Sequence, residues 1–272
     1  MFENLFRLDR KVAVVTGAGN GLGRVFSLGL AAHGATVICA DRNLEGADET
    51  ASLAKQSRGV AEAIRVDVAS ESSVDTMWDE IAANYGRIDI LINNAANNPK
   101  VEDGNSAWSR LENFPLEVWD ADIRVGLTGA FLCSRVFGAE MAKRKSGVIV
   151  NVASDLAVIA PDQRLYRVEG LPEEQQPVKP VTYSVVKTAL LGLTRYLATY
   201  WSSSNIRVNA ISPGGVFNGQ PEVFLSRLKQ LIPLERMANR DEYQGAILFL
   251  CSDASSYMTG SNLVIDGGRS CL

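Results

Sequence analysis

The stretch that most limits what this chain can fold into is Thr16-Gly-Ala-Gly-Asn-Gly-Leu-Gly23, which follows the β-branched run Lys11-Val-Ala-Val-Val-Thr16. A short apolar strand ending in glycines, followed by a helical pattern, reads as strand, tight turn and helix. Glycines at 17, 19, 21 and 23 let the backbone approach a pyrophosphate, which then rests on the N-terminus of the following helix. The second apolar run, Ala35-Thr-Val-Ile-Cys-Ala40, ends at Asp41. That is close to the ~20-residue spacing at which a carboxylate meets the ribose of a dinucleotide. Gly17, Asn20, Gly21, Leu22, Gly23, Asp41 and Arg42 are therefore candidate cofactor-binding residues. A carboxylate accepts from ribose hydroxyls and repels a 2′-phosphate, so NAD is expected over NADP. Arg42 pulls the other way, and the glycine turn itself contains no basic residue.

Further apolar runs recur along the chain: Ala63-Ile-Arg-Val-Asp67, Ile88-Asp-Ile-Leu-Ile92, Gly147-Val-Ile-Val-Asn-Val152, Ile206-Arg-Val-Asn-Ala210 and Asn262-Leu-Val-Ile-Asp266. Helical patterns lie between them. One starts at the capping residues around Ser70, continues through Val74, Met77, Trp78, Ile81 and Tyr85, and stops at Gly86. This alternation predicts an α/β fold of Rossmann type: a doubly wound, mostly parallel sheet of about seven strands with helices on both faces. No repeat or linker divides the chain, so residues 1–272 are read as one domain.

Composition excludes several functions. Net charge is −4, and no basic run exceeds Lys143-Arg144-Lys145, so no nucleic-acid or anionic-membrane partner is expected. No apolar segment nears the ~20 residues of a membrane span. The start, MFENLFRLDRK, lacks a signal-peptide core, and a cytoplasmic protein is expected. With one histidine, His33, read as a helix-end residue, and four scattered cysteines, no metal site is expected. Acid–base chemistry then falls to Tyr, Lys, Ser or carboxylates.

Tyr183 and Lys187 stand four apart and share a helical face. A phenol of ordinary pKa ~10 is a poor base, but an adjacent ammonium favours the phenolate. Such a tyrosine takes a proton from an alcohol, or returns one to a ketone. Ser154 follows the strand Val148–Val152 in the string NVASD.

With the glycine turn, Asn93-Asn-Ala-Ala96 and Tyr183-x-x-x-Lys187 in this order, the chain resembles the short-chain dehydrogenase/reductase family over nearly its whole length, in its single-domain branch. The resemblance implies that Ser154, Tyr183 and Lys187 are catalytic, with Ser154 orienting the substrate oxygen and Lys187 bonding the nicotinamide ribose. It implies that Asp67 and Val68 hold the adenine, and that Asn94, Ala95 and Ala96 line the cofactor, Ala96 standing where a glycine is usual. Pro213, Gly214 and Val216 would face the nicotinamide, with Asn218 in place of the usual Thr. A homotetramer or homodimer is implied as well. The helical Asn of the family is replaced by Gly126, which is expected to leave room for a water or a bulky substrate; the competing reading is that proton transfer is impaired, leaving a slow enzyme or an NAD-binding non-enzyme. The strings NNAANNPKVE, SDLAVIAPDQRLY and KPVTYSVVKTALLGLTRYLATYW resemble members associated with flagellin modification and sialic-acid-like sugars, and so suggest a sugar-type substrate.

The stretch between Ser154 and Tyr183 is about twice as long as most family members have. The extra residues, about 160–181, hold four prolines and many charges. An insertion at the carboxyl end of a sheet lies where ligands bind. It is read as a semi-rigid polar lid whose Arg164 or Arg167 could meet a carboxylate or phosphate. Phe217, in the segment after Val216, is a further substrate candidate. The expected activity is NAD-dependent hydride transfer at a secondary alcohol or ketone of a polar, sugar-like substrate. The alternatives are an NAD-binding regulatory or scaffold protein, and a non-redox sugar-modifying enzyme using NAD transiently.

Overall fold

The computed structural model describes residues 4–97, 101 and 107–272. The string NNAANNPKVE runs partly outside them. Seven strands form one sheet: β1 (Val12–Thr16), β2 (Thr36–Asp41), β3 (Val60–Arg65), β4 (Ile90–Asn93), β5 (Gly147–Val152), β6 (Ile206–Pro213) and β7 (Asn262–Ile265). Their order is β3-β2-β1-β4-β5-β6-β7, and every neighbouring pair is parallel. The expected α/β fold is therefore present, with a fully parallel sheet.

Alternate residues of β1 show why the strands are apolar throughout. Ala13 and Val15 enter one core with Phe26, Leu30, Ile247 and Leu250. Val12 and Val14 enter the opposite core with Met77, Ile81, Phe137 and Leu197. Both faces are covered, so neither can be polar. Helices α1 (Gly21–Ala32), α2 (Leu44–Gln56) and α8 (Gln244–Cys251) cover the first face. Helices α3 (Glu71–Tyr85), α5 (Gly129–Arg144) and α6 (Val181–Tyr200) cover the second. Two further helices, α4 (Leu116–Ile123) and α7 (Glu222–Lys229), complete the α-helices among the described residues.

The local signals act as expected. Ser70 caps α3 by accepting from the Ser73 amide, and Gly86 ends that helix at φ +63°. His33 caps α1, its Nδ1 lying 2.9 Å from the Gly29 carbonyl oxygen. Some strand boundaries differ from expectation: β4 starts at Ile90 and β6 runs on to Pro213. β3 begins at Val60 and ends at Arg65, so Asp67 lies beyond the strand. Exposed Val60 sits at the sheet edge, where burial gives no sequence signal.

Strand order runs outward in both directions from β1 and β4, so the carboxyl ends of these two strands open a crevice. A buried polar chain ties the neighbouring strands together. Asn93 donates to Asn151 at 2.8 Å, and Asn151 donates to Thr194 on α6 at 2.8 Å. This links β4, β5 and the helix that carries Tyr183.

Candidate active site at the carboxyl end of the sheet

The glycine turn is built for close backbone approach. Gly17 and Gly21 have φ of +67° and +53°, a region that side chains disfavour. A Cβ at position 23 would lie 2.1 Å from the Gly17 carbonyl oxygen. Asn20 caps α1 without a side-chain hydrogen bond, so the helix amides remain available to an anion. Asn94 secures the turn from β4, its Nδ2 donating to the carbonyls of Thr16 at 2.9 Å and Gly17 at 3.1 Å. The Ala95 amide donates to Thr16 Oγ1 at 3.1 Å. Leu22 packs against the first core. Open space around Gly21 and these free amides fit a pyrophosphate.

Asp41 sits beside this turn. Its carboxylate accepts from the amides of Gly19 at 2.8 Å and Asn43 at 2.9 Å. Each oxygen keeps a lone pair for a ribose hydroxyl. Arg42 is exposed. Arg24, a basic residue overlooked in the sequence, donates to the Gly19 carbonyl at 2.6 Å and pairs with Glu49 at 2.6 Å. The Asp67 carboxylate accepts from the Ala69 amide at 3.0 Å, and Val68 is buried against the second core. Pro213 ends β6. The Gly214 amide donates to Ile265 at 2.8 Å, and the Val216 carbonyl accepts from Gln220 at 3.1 Å. The Asn218 side-chain oxygen accepts from Arg240.

On α6, Pro180 precedes the first turn and the next turns carry Tyr183 and Lys187. Lys187 is buried, and its ammonium donates to the Val152 carbonyl at 2.7 Å. Burial lowers its pKa to about 8, and the Lys179 cation adds to the effect. Burial raises the Tyr183 pKa. The Ser154 hydroxyl pulls it down and the Asp155 carboxylate pushes it up. Ser154 donates to Asp155 Oδ1 at 2.9 Å, while Asp155 Oδ2 accepts from Arg269 at 2.8 Å. Asp155 and Arg269 form a buried ion pair that the sequence reading missed, because its members are far apart in the chain.

A small cavity, open to solvent, is lined by Ala96, Asp122, Gly126, Thr182, Tyr183 and Lys187, among others. Gly126 lies in a π-helical turn, Arg124–Thr128, and not in a regular α-helix. A Cβ there would come 2.6 Å from Val186 Cγ1. The expected room beside Gly126 is thus shared between the cavity and Val186, and the glycine lets α6 approach closely. Buried Asp122 accepts from the Thr182 hydroxyl at 2.5 Å.

The insertion differs from the polar lid expected. Leu165 and Tyr166 are buried in a satellite core with Phe224, Leu228, Ile232 and Met237. The Tyr166 ring lies 5.5 Å from that of Phe224. Arg227 on α7 donates to the Arg167 carbonyl at 2.6 Å. Buried Gln176 clasps the loop, bonding both backbone groups of Val168 at 2.8 and 2.9 Å and the Leu171 carbonyl at 2.7 Å. Arg164 pairs with Asp162 at 2.6 Å, and Arg167 pairs with Glu173. Neither arginine lines the cavity beside Tyr183. Phe217 is half exposed.

The family described as short chain dehydrogenase matches residues 11–166, and a second description, Enoyl-(Acyl carrier protein) reductase, matches residues 173–270. The chain belongs to the short-chain dehydrogenase/reductase family. The gap between the two matches falls inside the insertion. This dehydrogenase is an oxidoreductase acting on a CH–OH group. It is 37% identical to a D-threitol dehydrogenase of Mycolicibacterium smegmatis, covering 97% of this chain and 94% of that protein. It is 34% identical to an NAD-dependent glycerol dehydrogenase of Listeria innocua, covering 98% and 96%. A gluconate 5-dehydrogenase from Burkholderia cenocepacia, solved in complex with NADP and tartrate, superposes with a TM-score of 0.86. It is 29% identical, with 99% of this chain and 98% of that one covered.

Proposed function

We propose that this protein is an NAD-dependent dehydrogenase of a secondary alcohol in a polyol or sugar-like substrate. The observation that carries the reading is the cavity at the carboxyl end of the sheet, where Tyr183 and Lys187 share one wall and Ser154 acts on the same phenol. A bound nicotinamide dinucleotide would supply the hydride acceptor. The glycine-turn amides and the α1 N-terminus would hold its pyrophosphate. Asp41 would hold its adenosine ribose, and Lys187 the nicotinamide ribose. Asp67 and Val68 would border the adenine. Asn94, Ala95, Ala96, Pro213, Gly214, Val216 and Asn218 would line the remainder.

Tyr183 takes the hydroxyl proton in oxidation and returns it in reduction. Oxidation needs the phenolate, so its rate rises with pH through the Tyr183 ionisation. Reduction needs the phenol, so its rate falls over the same range. A carboxylate cannot donate, so the Ser154 proton points at Asp155. Ser154 then offers lone pairs to an incoming hydroxyl, which suits an alcohol. To hold a ketone, or to stabilise the Tyr183 phenolate, its proton must turn away from Asp155.

The polyol class follows from the threitol and glycerol dehydrogenases among its relatives, and Asp122, Thr182 and Tyr183 in the cavity wall offer hydroxyl partners. It takes precedence over the flagellin-related likeness, which rests on three sequence strings. The preference for NAD stands on Asp41, and a similar Kd for NADP in titration calorimetry would overturn it. The insertion and the segment after Val216 form the substrate rim, with Phe217 at its edge and Arg164 and Arg167 on its outer side. A homotetramer or homodimer is the expected assembly, which light scattering measures.

The test is NADH formation by the purified protein with NAD and a panel of tetritols, glycerol, hexonates and amino sugars. Signal with polyols that vanishes in Tyr183→Phe is expected. A preference for acyl thioesters over every polyol would sink the substrate class.

A further inference from the structure

The insertion brings one side chain to the reacting tyrosine. Lys179 is half-buried, and its Nζ lies 4.0 Å from the centroid of the Tyr183 ring. Lys187, the partner on the same helix, lies farther from that ring, at 5.9 Å. The backbone around Lys179 is fixed on both sides. Its own amide donates to Gln163 Oε1 at 2.8 Å, and the Val178 amide donates to Ser109 Oγ at 2.9 Å. Pro180 then opens α6 directly. The loop cannot shift Lys179 without breaking these bonds.

A cation over an aromatic face is attracted by the ring quadrupole. When the phenol ionises, part of the new negative charge spreads into the ring, so the same cation stabilises the phenolate more than the phenol. We propose that Lys179 is an electrostatic positioning residue of this active site, held over Tyr183 by the insertion to favour the ionised tyrosine. The proposal rests on Tyr183 being the proton-transfer group.

The other charges around Tyr183 make the need plain. Lys187 is the expected neighbour, but its ammonium lies farther from the ring and is engaged by the Val152 carbonyl at 2.7 Å. Asp155, in the 3₁₀ turn after β5, opposes ionisation of Tyr183, and its charge is answered by Arg269 from the C-terminal segment. Asp122 of α4 lies in the cavity wall and adds no cation. Removing Lys179 would also let Lys187 hold its proton to higher pH, which partly compensates. Lys179 is nearer to the ring, so the direct loss dominates.

The experiment is a tyrosinate absorbance titration of the full-length protein, with each Lys179 variant referenced to the same variant carrying Tyr183→Phe. This isolates one phenol without any substrate. The Tyr183 transition is expected about one pH unit higher in Lys179→Met, the lower end of what a charge at this distance produces, since Lys179 is half exposed. Lys179→Arg, which keeps a cation over the ring, restores the parent value. The rising limb of kcat/KM for alcohol oxidation moves up with it. A Lys179→Met titration that overlays the parent overturns the proposal. So does a raised KM with an unmoved transition, which makes Lys179 a substrate contact instead. If no tyrosinate signal depends on Tyr183, both this proposal and the proton-transfer role fall. If the transition moves as expected but no polyol is oxidised, only the substrate class is wrong.

Discussion

The cradle formed by β1, the glycine turn and α1 and the crown formed by residues 160–181 with the 217–237 segment stand at the same end of the sheet, yet different forces hold them. The cradle is shaped by backbone. Its glycines take positive φ or stand where a Cβ would collide, and its contacts lie between residues close in the chain or on paired strands. The crown is shaped by side chains from separate elements: Tyr166 on Phe224, Gln176 on Val168 and Leu171, Arg227 on Arg167. A backbone-built site presents one geometry to one ligand. A site built from side-chain contacts can change with each substitution, as suits a region that chooses substrate.

The largest effect that separates the two regions is expected at the chemistry between them. Tyr183→Phe keeps the ring and removes the phenol proton. Turnover should fall about 10²- to 10⁴-fold, the usual worth of a positioned acid–base group. NAD affinity, which belongs to the cradle, should stay within about twofold, a change under ~0.5 kcal/mol. Calorimetry on the variant reads the second quantity. A parallel loss of NAD binding would mean that the two regions are not separable.

Next comes the ion pair that reaches the site from the far end of the chain. Arg269→Met leaves Asp155 buried without its cation. Breaking such a pair from one side costs about 3 kcal/mol, visible as a lower denaturant midpoint. The sign on activity is also fixed. An unanswered Asp155 carboxylate opposes ionisation of Tyr183, so the rising limb for alcohol oxidation moves to higher pH. A variant that loses stability without that movement would assign Arg269 to the scaffold alone.

The same contrast explains what could be read in advance. The cradle was legible because its signals are local: β-branched runs, glycines at fixed spacing, Asp41 at a strand end, Ser70 and Gly86 at the ends of α3. Tyr183 and Lys187 were legible because helical period alone places them on one face. The crown was legible only as an insertion. Its prolines and charges read as a polar loop, and nothing near Leu165 or Tyr166 announces Phe224 or Met237, which come from another element. The Asp155–Arg269 pair and the Asn93–Asn151–Thr194 chain were hidden for the same reason. Gly126 was noticed, but its reason, the closeness of Val186 across a π-helical turn, is a packing fact.

A smaller effect tests whether the crown selects substrate. Tyr166→Ala empties part of the satellite core far from the cradle. The loop loosens, and ordering it around substrate must then be drawn from binding energy. KM for the polyol should rise roughly tenfold, about 1.4 kcal/mol, with NAD affinity unchanged. Steady-state kinetics with saturating NAD measures it. An unchanged KM would reduce the crown to a solvated loop or a subunit contact.

The smallest effect belongs to the cradle side and should be silent in kinetics. Ser70→Ala removes the side chain that accepts from the Ser73 amide at 3.3 Å and caps α3. Such a cap is worth about 1 kcal/mol. The helix packs through Val74, Met77 and Ile81 against the second core, so its body stays in place while its first turn frays. The melting temperature should drop by a few degrees, roughly 2–4 °C for a chain of this size. KM for substrate should not move, because α3 packs on α5 and the second core, apart from the crown contacts described above. KM for NAD is the sharper probe. Asp67 and Val68 lie just before Ser70, and the Asp67 amide donates to Ser73 Oγ at 3.0 Å. A rise in KM for NAD alone would extend the cradle to this turn and support the placing of the adenine there. A rise in KM for polyol would instead show that α3 strain reaches the crown, and would break the division between the two regions.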